Sequence, residues 1–265
     1  MTDRKKVYLF YKKDEELEKK VQKVRELGRK YGYQQVERPE DANIIISFGN
    51  DGTFLQALQK THFREDALYI GVNNGGMGFY TDFSIDDLER MELAMQSDNV
   101  EVLKYPTLEV TIDGLNSFHC INELSLRSNI IKTFVIDVYI DNLYFETFRG
   151  DGLLVATPTG STAYNKSLGG AIVDPKLPSM QLTEMASVNN NQYRTLGSPL
   201  VLGKERELHL KIVQDGNDHP IVGIDNEAMG VRHNYDMKVK VSDRVVKTLR
   251  MKDNLFYHKV KRSFL

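Results

Sequence analysis

Over the first hundred residues the apolar positions switch between two periods. Val7-Tyr8-Leu9-Phe10-Tyr11 is a short apolar run of strand size, and Leu17, Val21, Val24 and Leu27 then recur at helical spacing among Lys and Glu. Asn43 to Phe48 is a near-continuous apolar strand, Thr53 to Gln59 carries helix formers, and Leu68 to Val72 is strand-like again. Ser84 is placed to open a helix, with Asp87 three positions on as its capping-box partner. Strands that alternate with helices imply parallel pairing with helical crossovers, so residues 1–98 read as one α/β domain.

From Val100 the pattern changes. Leu108 to Ile112, Thr133 to Ile140 and Leu143 to Phe148 follow one another across turn pairs such as Asp113-Gly114 and Asp141-Asn142. Leu208 to Val213, Ile221 to Ile224 and Met237 to Val241 continue the series, and Ser161 to Leu168 is its one helical interruption. Residues 99–250 therefore read as a mainly β second domain. The segment 251–265 either packs back on the first domain or frays, and periodicity does not decide between the two.

Composition narrows the function. Thirty-five basic residues against 37 acidic ones give a net charge of -2, without the basic footprint of a protein that grips nucleic acid by its phosphates. No apolar run approaches the ~20 residues of a membrane span, and no apolar secretory core follows Met1, so the expected compartment is the cytoplasm. One cysteine, Cys120, forms no internal disulfide, and six scattered histidines make no zinc-binding spacing, so no metal site built from protein ligands alone is expected.

The chemistry is concentrated where the glycines are. Gly49-Asn50-Asp51-Gly52-Thr53 follows an apolar strand and precedes a helical segment, a junction where backbone amides gather around phosphate oxygens. Asn50-Asp51-Gly52 would equally make a hairpin turn, but the helix formers after it argue against one. An aspartate beside phosphates is unfavourable unless it binds a metal ion or accepts a proton from a hydroxyl that attacks phosphorus. Neither a P-loop, nor a dinucleotide fingerprint after the first strand, nor protein-kinase signatures are present. Asn73 to Phe79 is a second glycine-rich stretch, at the carboxyl end of a strand where open α/β sheets bind ligands. A third runs from Arg149 through Gly150-Asp151-Gly152 to Thr157-Pro158-Thr159-Gly160-Ser161-Thr162-Ala163-Tyr164, with Ser161 or Thr162 able to cap the helix that follows. Asn122-Glu123 places two polar side chains in a β segment, on opposite faces unless a bulge redirects them.

Together these four stretches resemble, in order and over nearly the whole chain, the NAD kinases, which move a phosphoryl group from ATP to the 2′-hydroxyl of the adenosine ribose of NAD. The family's G-G-D-G-T loop corresponds to Gly49 to Thr53, its N-x-G-x-x-G-F loop to Asn73 to Phe79, its N-E pair to Asn122-Glu123, and its G-D-G and T-P-T-G-S-T-A-Y run to Gly150 to Tyr164. The resemblance implies an amino-terminal phosphofructokinase-like, Rossmann-like α/β domain, a carboxyl-terminal β-rich sandwich, and a final segment, 251–265, returning to the first domain. It makes Asp51 the general base, with Gly49, Asn50, Gly52 and Thr53 lining the phosphate and metal region. Phe79, Asn122, Glu123, Thr159, Thr162, Ala163, Tyr164 and Ser167 would hold the adenosine part, with Asn165 and Lys166 in the same substrate-binding run. Arg149, Asp151 and Ala186 would lie near the nicotinamide, and Asp225 is a further binding position. The cofactor implied is Mg²⁺ or Mn²⁺ carried with ATP, the phosphoryl donor is ATP or polyphosphate, and the partner is a second copy of the chain, as a homodimer or homotetramer, with no nucleic acid and no membrane.

Two departures stand out. Asn50 replaces the family's second glycine, which is expected to cost room for phosphate in a loop that Asn can still enter with left-handed backbone, and Gly76-Met77 stands where relatives carry a larger polar residue and Leu. Asn50 is the one feature that favours a non-catalytic NAD-binding sensor over an enzyme. A lipid kinase shares the aspartate-glycine loop, but no basic amphipathic membrane face is visible in the sequence.

Overall fold

A computed structural model describes residues 4–76, 78–97, 99–213, 220–230 and 236–265 of the chain. It divides into two compact units, residues 1–104 with 246–265, and residues 105–245. The first boundary falls after Lys104 rather than at 98, and the second before Val246 rather than after 250. Both lie inside single long strands rather than in loops, so no turn marks them in the sequence.

In the first unit, β1 (Lys6–Phe10), β2 (Gln34–Gln35), β3 (Ile44–Phe48), β4 (Leu68–Asn73) and β5 (Thr81–Ser84) are paired in parallel in the order β2-β1-β3-β4, with β5 on β4. α1 (Glu15–Lys30), α2 (Asp51–Lys60) and α3 (Leu88–Gln96) are the crossovers. α1 begins where the Asp14 side chain accepts the Glu16 and Leu17 amides, and it buries Leu17, Val21 and Val24 on the apolar stripe foreseen from their spacing. Ser84 does not open a helix. It is the last residue of β5 in register with Asn73, and α3 starts four residues later at Leu88, where the Asp87 carboxylate itself caps the helix by accepting the Arg90 amide. Gly71 on β4 is required by pairing, because a Cβ there would lie 2.3 Å from the Tyr80 carbonyl oxygen.

The strand β6 (Val100–Ile112) leads into the second unit, which is a two-sheet β structure. Here β7 (Asn116–Cys120), β8 (Glu123–Arg127), β9 (Phe134–Ile140), β10 (Leu143–Gly150) and β11 (Gly152–Ala156) precede a short helix, α4 (Tyr164–Ser167). After it come β12 (Ser179–Met185), β13 (Leu200–Gly203), β14 (Glu207–Ile212), β15 (Ile221–Ile224), β16 (Glu227–Gly230) and β17 (Asp236–Met251). One antiparallel sheet runs β13-β12-β11-β8-β15-β16, and the other contains β10-β9-β14-β17 with β6 and β7. Inward residues of both sheets, among them Leu108, Leu124, Phe134, Phe148, Leu153, Leu208 and Met237, form one buried core, as in a sandwich. Every residue of β11 is buried, because its other face, Leu154 and Ala156, packs against Tyr164 and Leu168.

β17 carries the chain back into the first unit, where Thr248 pairs in parallel with Tyr69 of β4, and α5 (Phe256–Phe264) follows. The final segment therefore belongs to the first unit. Among the described residues no helix is long and apolar enough to cross a membrane.

Candidate active site

The junction between β3 and α2 is built by its own residues. The Gly49 amide donates to the Val72 carbonyl of β4 at 2.9 Å, and Gly49 has φ 151°, where a Cβ would meet Thr53 Oγ1 at 2.3 Å. Only glycine lets the chain turn this tightly against the helix. Asn50 then caps α2: its Oδ1 accepts the Thr53 amide at 3.1 Å, and its backbone is extended at φ -87°. The expected left-handed accommodation of Asn50 is thus absent. The residue fits because a cap position favours Asn over most other side chains.

Asp51 is the first residue of α2, and its carboxylate is committed to the second glycine-rich loop. Oδ2 accepts the Phe79 amide at 2.7 Å and Oδ1 the Tyr80 amide at 2.9 Å. Gly78 permits this approach, since a Cβ there would sit 2.3 Å from Asp51 Oδ1 and 2.4 Å from Thr81 Oγ1. Burial raises the Asp51 carboxyl above its ordinary value, against the lowering effect of those amides and of the Lys259 charge. The loop is held in turn from α5. Lys259 is buried, with Nζ 2.7 Å from the Phe79 carbonyl oxygen and 2.9 Å from Asp82 Oδ1, and Asn254 Nδ2 donates to the same Asp82 oxygen at 2.7 Å. The Phe79 ring stacks on Phe264 with centroids 5.9 Å apart and leans on Phe256 at 6.1 Å.

The second unit gathers its own polar cluster. The chain breaks from regular strand between β7 and β8, and the Ile121, Asn122 and Glu123 amides point at the Asp225 carboxylate at 3.1, 2.7 and 3.3 Å. Asp225 closes the β15 to β16 hairpin at φ 52°, a conformation Asp tolerates, and its own amide returns to the Glu123 carbonyl at 3.0 Å. Burial pushes the Glu123 carboxyl up to about 8, with the neighbouring Asp225 charge adding to the rise, and burial pushes Asp225 up to about 7 against the lowering effect of the three amides. Glu123 Oε2 is buried without a hydrogen-bond partner. Against this break lies the Thr157 to Thr162 turn: Thr157 Nα donates to the Asn122 carbonyl at 2.8 Å and Thr159 Oγ1 to the Ile121 carbonyl at 3.0 Å. A Cβ on Gly160 would fall 2.0 Å from the Asn122 oxygen, so this glycine sets the contact.

Residues 121–251 match the family described as the ATP-NAD kinase C-terminal domain. The chain is 56% identical to NAD kinase 2 of Bacillus licheniformis over 266 residues, and 55% identical to NAD kinase 2 of Bacillus subtilis over 267, each alignment covering 100% of both chains. The chain belongs to the NAD kinase family. In fold it is similar to a yeast NADH kinase solved with NADH, at a TM-score of 0.83, 18% identity and coverage of 99% of this chain and 88% of that one. It is also similar to an Archaeoglobus fulgidus NAD kinase solved with ATP, at 0.76, 24%, 97% and 98%.

Set against the NAD kinase motifs, the sequence-derived residues fall into three groups. Gly49, Asn50, Asp51, Gly52, Thr53 and Phe79 lie together in the first unit, although the Phe79 ring is occupied by α5. Asn122, Glu123, Thr159, Thr162 and Asp225 lie together in the second. Arg149, Asp151 and Ala186 gather at the end of β12, where the Asp151 amide donates to the Met185 carbonyl at 2.9 Å and Arg149 lies over the Tyr193 ring at 4.4 Å. Tyr164 touches this third group through Met185 Sδ at 3.9 Å. Asp151, Ser167 and Ala186 are exposed.

The foreseen helix from Ser161 to Leu168 is in fact two pieces, a 3₁₀ turn at Thr159–Thr162 and α4, separated by Ala163 at φ -89° and ψ -132°. Neither Ser161 nor Thr162 caps α4: their hydroxyls donate to the Pro158 and Thr159 carbonyls. Asn165 is an internal strut, its amide on the Ser161 and Ala171 carbonyls and its oxygen accepting from Thr183 Oγ1 at 2.7 Å. Lys166 is half-buried on the same turn. The Gly76-Met77 departure cannot be followed through, since Met77 lies outside the described residues. Lys259 and Asp82 escaped sequence reasoning altogether, and the only available signal was a lysine on the apolar side of an aromatic-rich final helix.

Proposed function

We propose that this NAD kinase family member transfers a phosphoryl group from ATP to the 2′-hydroxyl of the adenosine ribose of NAD, with Asp51 as the general base. The observation that carries the assignment is the placement of Asp51. It is the carboxylate at a glycine-lined strand-to-helix turn, held by loop amides and raised by burial above its ordinary value, which makes it a better proton acceptor than a free aspartate. The Phe79, Tyr80 and Thr81 amides occupy part of the acceptor capacity of the two oxygens, which leaves a position for an attacking hydroxyl. The free amides at the start of α2 favour the donor's phosphates.

Among the described residues no three His, Cys, Asp or Glu side chains converge on one point. Asp51 is the carboxylate that would support a divalent ion brought in with the triphosphate, and such an ion would neutralise charge on the transferred group. The Asn122, Glu123, Thr159 and Thr162 cluster holds the nucleoside, and at neutral pH Glu123 is largely protonated and offers an O–H rather than a charge. The apolar side chains of Leu143 and Tyr144, exposed by 70% and 54% on the edge strand β10, support assembly with a second copy. The sensor reading loses its support, because Asn50 is a helix cap.

The test is Asp51→Asn. Turnover of NAD to NADP is expected to fall at least about a hundredfold, the usual scale of a general base, while NAD affinity measured by calorimetry changes less than tenfold. Turnover within tenfold of wild type removes Asp51 from the role of base.

A further inference from the structure

The first unit contains a cavity of about 140 Å³ between its sheet and the helices α1 and α3, lined mainly by strand and helix residues and by none of the glycine-rich loops. The sheet shows where it lies. Leu9, Ile46 and Ile70 stand side by side in register on β1, β3 and β4, and all three are only half-buried, although Val7, Ile44 and Leu68 in the row beneath them are buried. A gap over the middle of a parallel sheet is unusual, because such strands are normally covered on both faces. α1 contributes to the gap through Gly28. Its missing Cβ would meet only Tyr33 Cβ at 3.7 Å, an ordinary contact, so packing does not require glycine at this position in a helix interior, where glycine is unfavourable.

We propose that this cavity is a second small-molecule site that takes a small aromatic or branched aliphatic carboxylate. Size sets the apolar part, since a cavity of roughly 150 Å³ lined by aliphatic side chains holds one benzene-sized group. Charge sets the head. On α1, Val24 and Gly28 form one stripe of the wall, and Arg25 and Arg29 lie beside them four residues apart on the neighbouring stripe. Arg25 is already held by Glu18 and by Gln35 Oε1 at 2.9 Å, whereas Arg29 is exposed and its guanidinium makes no hydrogen bond or ion pair among the described residues. Arg4, the other cation of the lining, donates only to the Asn43 carbonyl oxygen at 3.2 Å. An apolar pocket with an unpaired guanidinium at its wall suits a ligand with one anionic group.

The test titrates the full chain with benzoate and, separately, with toluene, following the methyl signals of Met91 and Met95, which both line the cavity. Saturable shifts are expected with both probes. Gly28→Leu, or Ala94→Leu should the first variant fold poorly, is expected to weaken both at least tenfold by filling the space. Arg29→Met is expected to weaken benzoate at least threefold and leave toluene unchanged. No saturable shift with either probe, or undiminished binding in the filled variants, overturns the site, and equal effects of Arg29→Met on the two probes overturn the carboxylate.

Discussion

Replacing Lys259 by methionine removes the cation from a pair whose side chains are only 6% and 3% exposed while keeping most of the apolar stem. The Asp82 carboxylate then stays buried with Asn254 as its remaining hydrogen-bond donor, and the Phe79 carbonyl oxygen loses a charged donor. Breaking one side of a buried pair costs about 3–5 kcal/mol, mostly as the charge left behind. Burial already raises the Asp82 carboxyl, and loss of Lys259 raises it further. A carboxyl raised in the folded state takes up a proton on folding, so the deficit is full above its folded pKa and shrinks as pH falls through it. Urea unfolding of the single variant is therefore expected to show a larger loss at pH 8 than at pH 5. The double variant Lys259→Met, Asp82→Asn is expected to recover most of the loss at pH 8, because the carboxylate in direct contact with Lys259 is no longer charged. A single-variant loss below about 1 kcal/mol, or equal losses in single and double variants at both pH values, refutes the account, since either result means that the charge left on Asp82 is not what matters.

Three further outcomes follow from the same geometry. Asn50→Ala is expected to destabilise the first unit by about 1 kcal/mol in thermal unfolding, and Asn50→Gly by only a few tenths, because glycine is a tolerable cap and alanine is not. Glu123→Gln is expected to flatten the pH dependence of stability. The raised Glu123 carboxyl stabilises the fold fully below its ordinary value of 4.5, and that contribution is lost as pH rises to about 8, so the variant should gain on wild type at pH 9. Gly160→Ala places a methyl 2.0 Å from the Asn122 oxygen and is expected to raise KM for NAD by tenfold or more in a steady-state assay, with the melting temperature also lowered.

The β3 run before Gly49 was legible because a strand in a parallel sheet with helices on its faces is apolar nearly throughout. Local rules failed where a distant contact outweighed them. Ser84 has every mark of a helix cap, but β4 pairs with the chain through Ser84, and a strand residue cannot also cap. The Ser161 to Leu168 helix is interrupted because Gly160 must press against the Asn122 carbonyl, which tilts the turn before α4 can start. Lys259 was invisible for a related reason: pattern reading counts lysine as solvent-facing, and only the folded chain brings Asp82 to it. Asp51 was readable as a candidate base, but its restraint by the Phe79 and Tyr80 amides was not, since that depends on a glycine approach across two loops.

The first unit is discontinuous, with Val246 onward returning only after the whole of the second unit has been traversed. A gene fragment encoding residues up to Lys104 would lack the strand that borders Tyr69 and the lysine that neutralises Asp82. The intervening unit, by contrast, is one uninterrupted stretch and is free to condense early. Nucleation of the sandwich thus shortens the closure that the other unit must make, and recombination that shuffles modules between genes would have to insert or excise the sandwich, never the first unit alone.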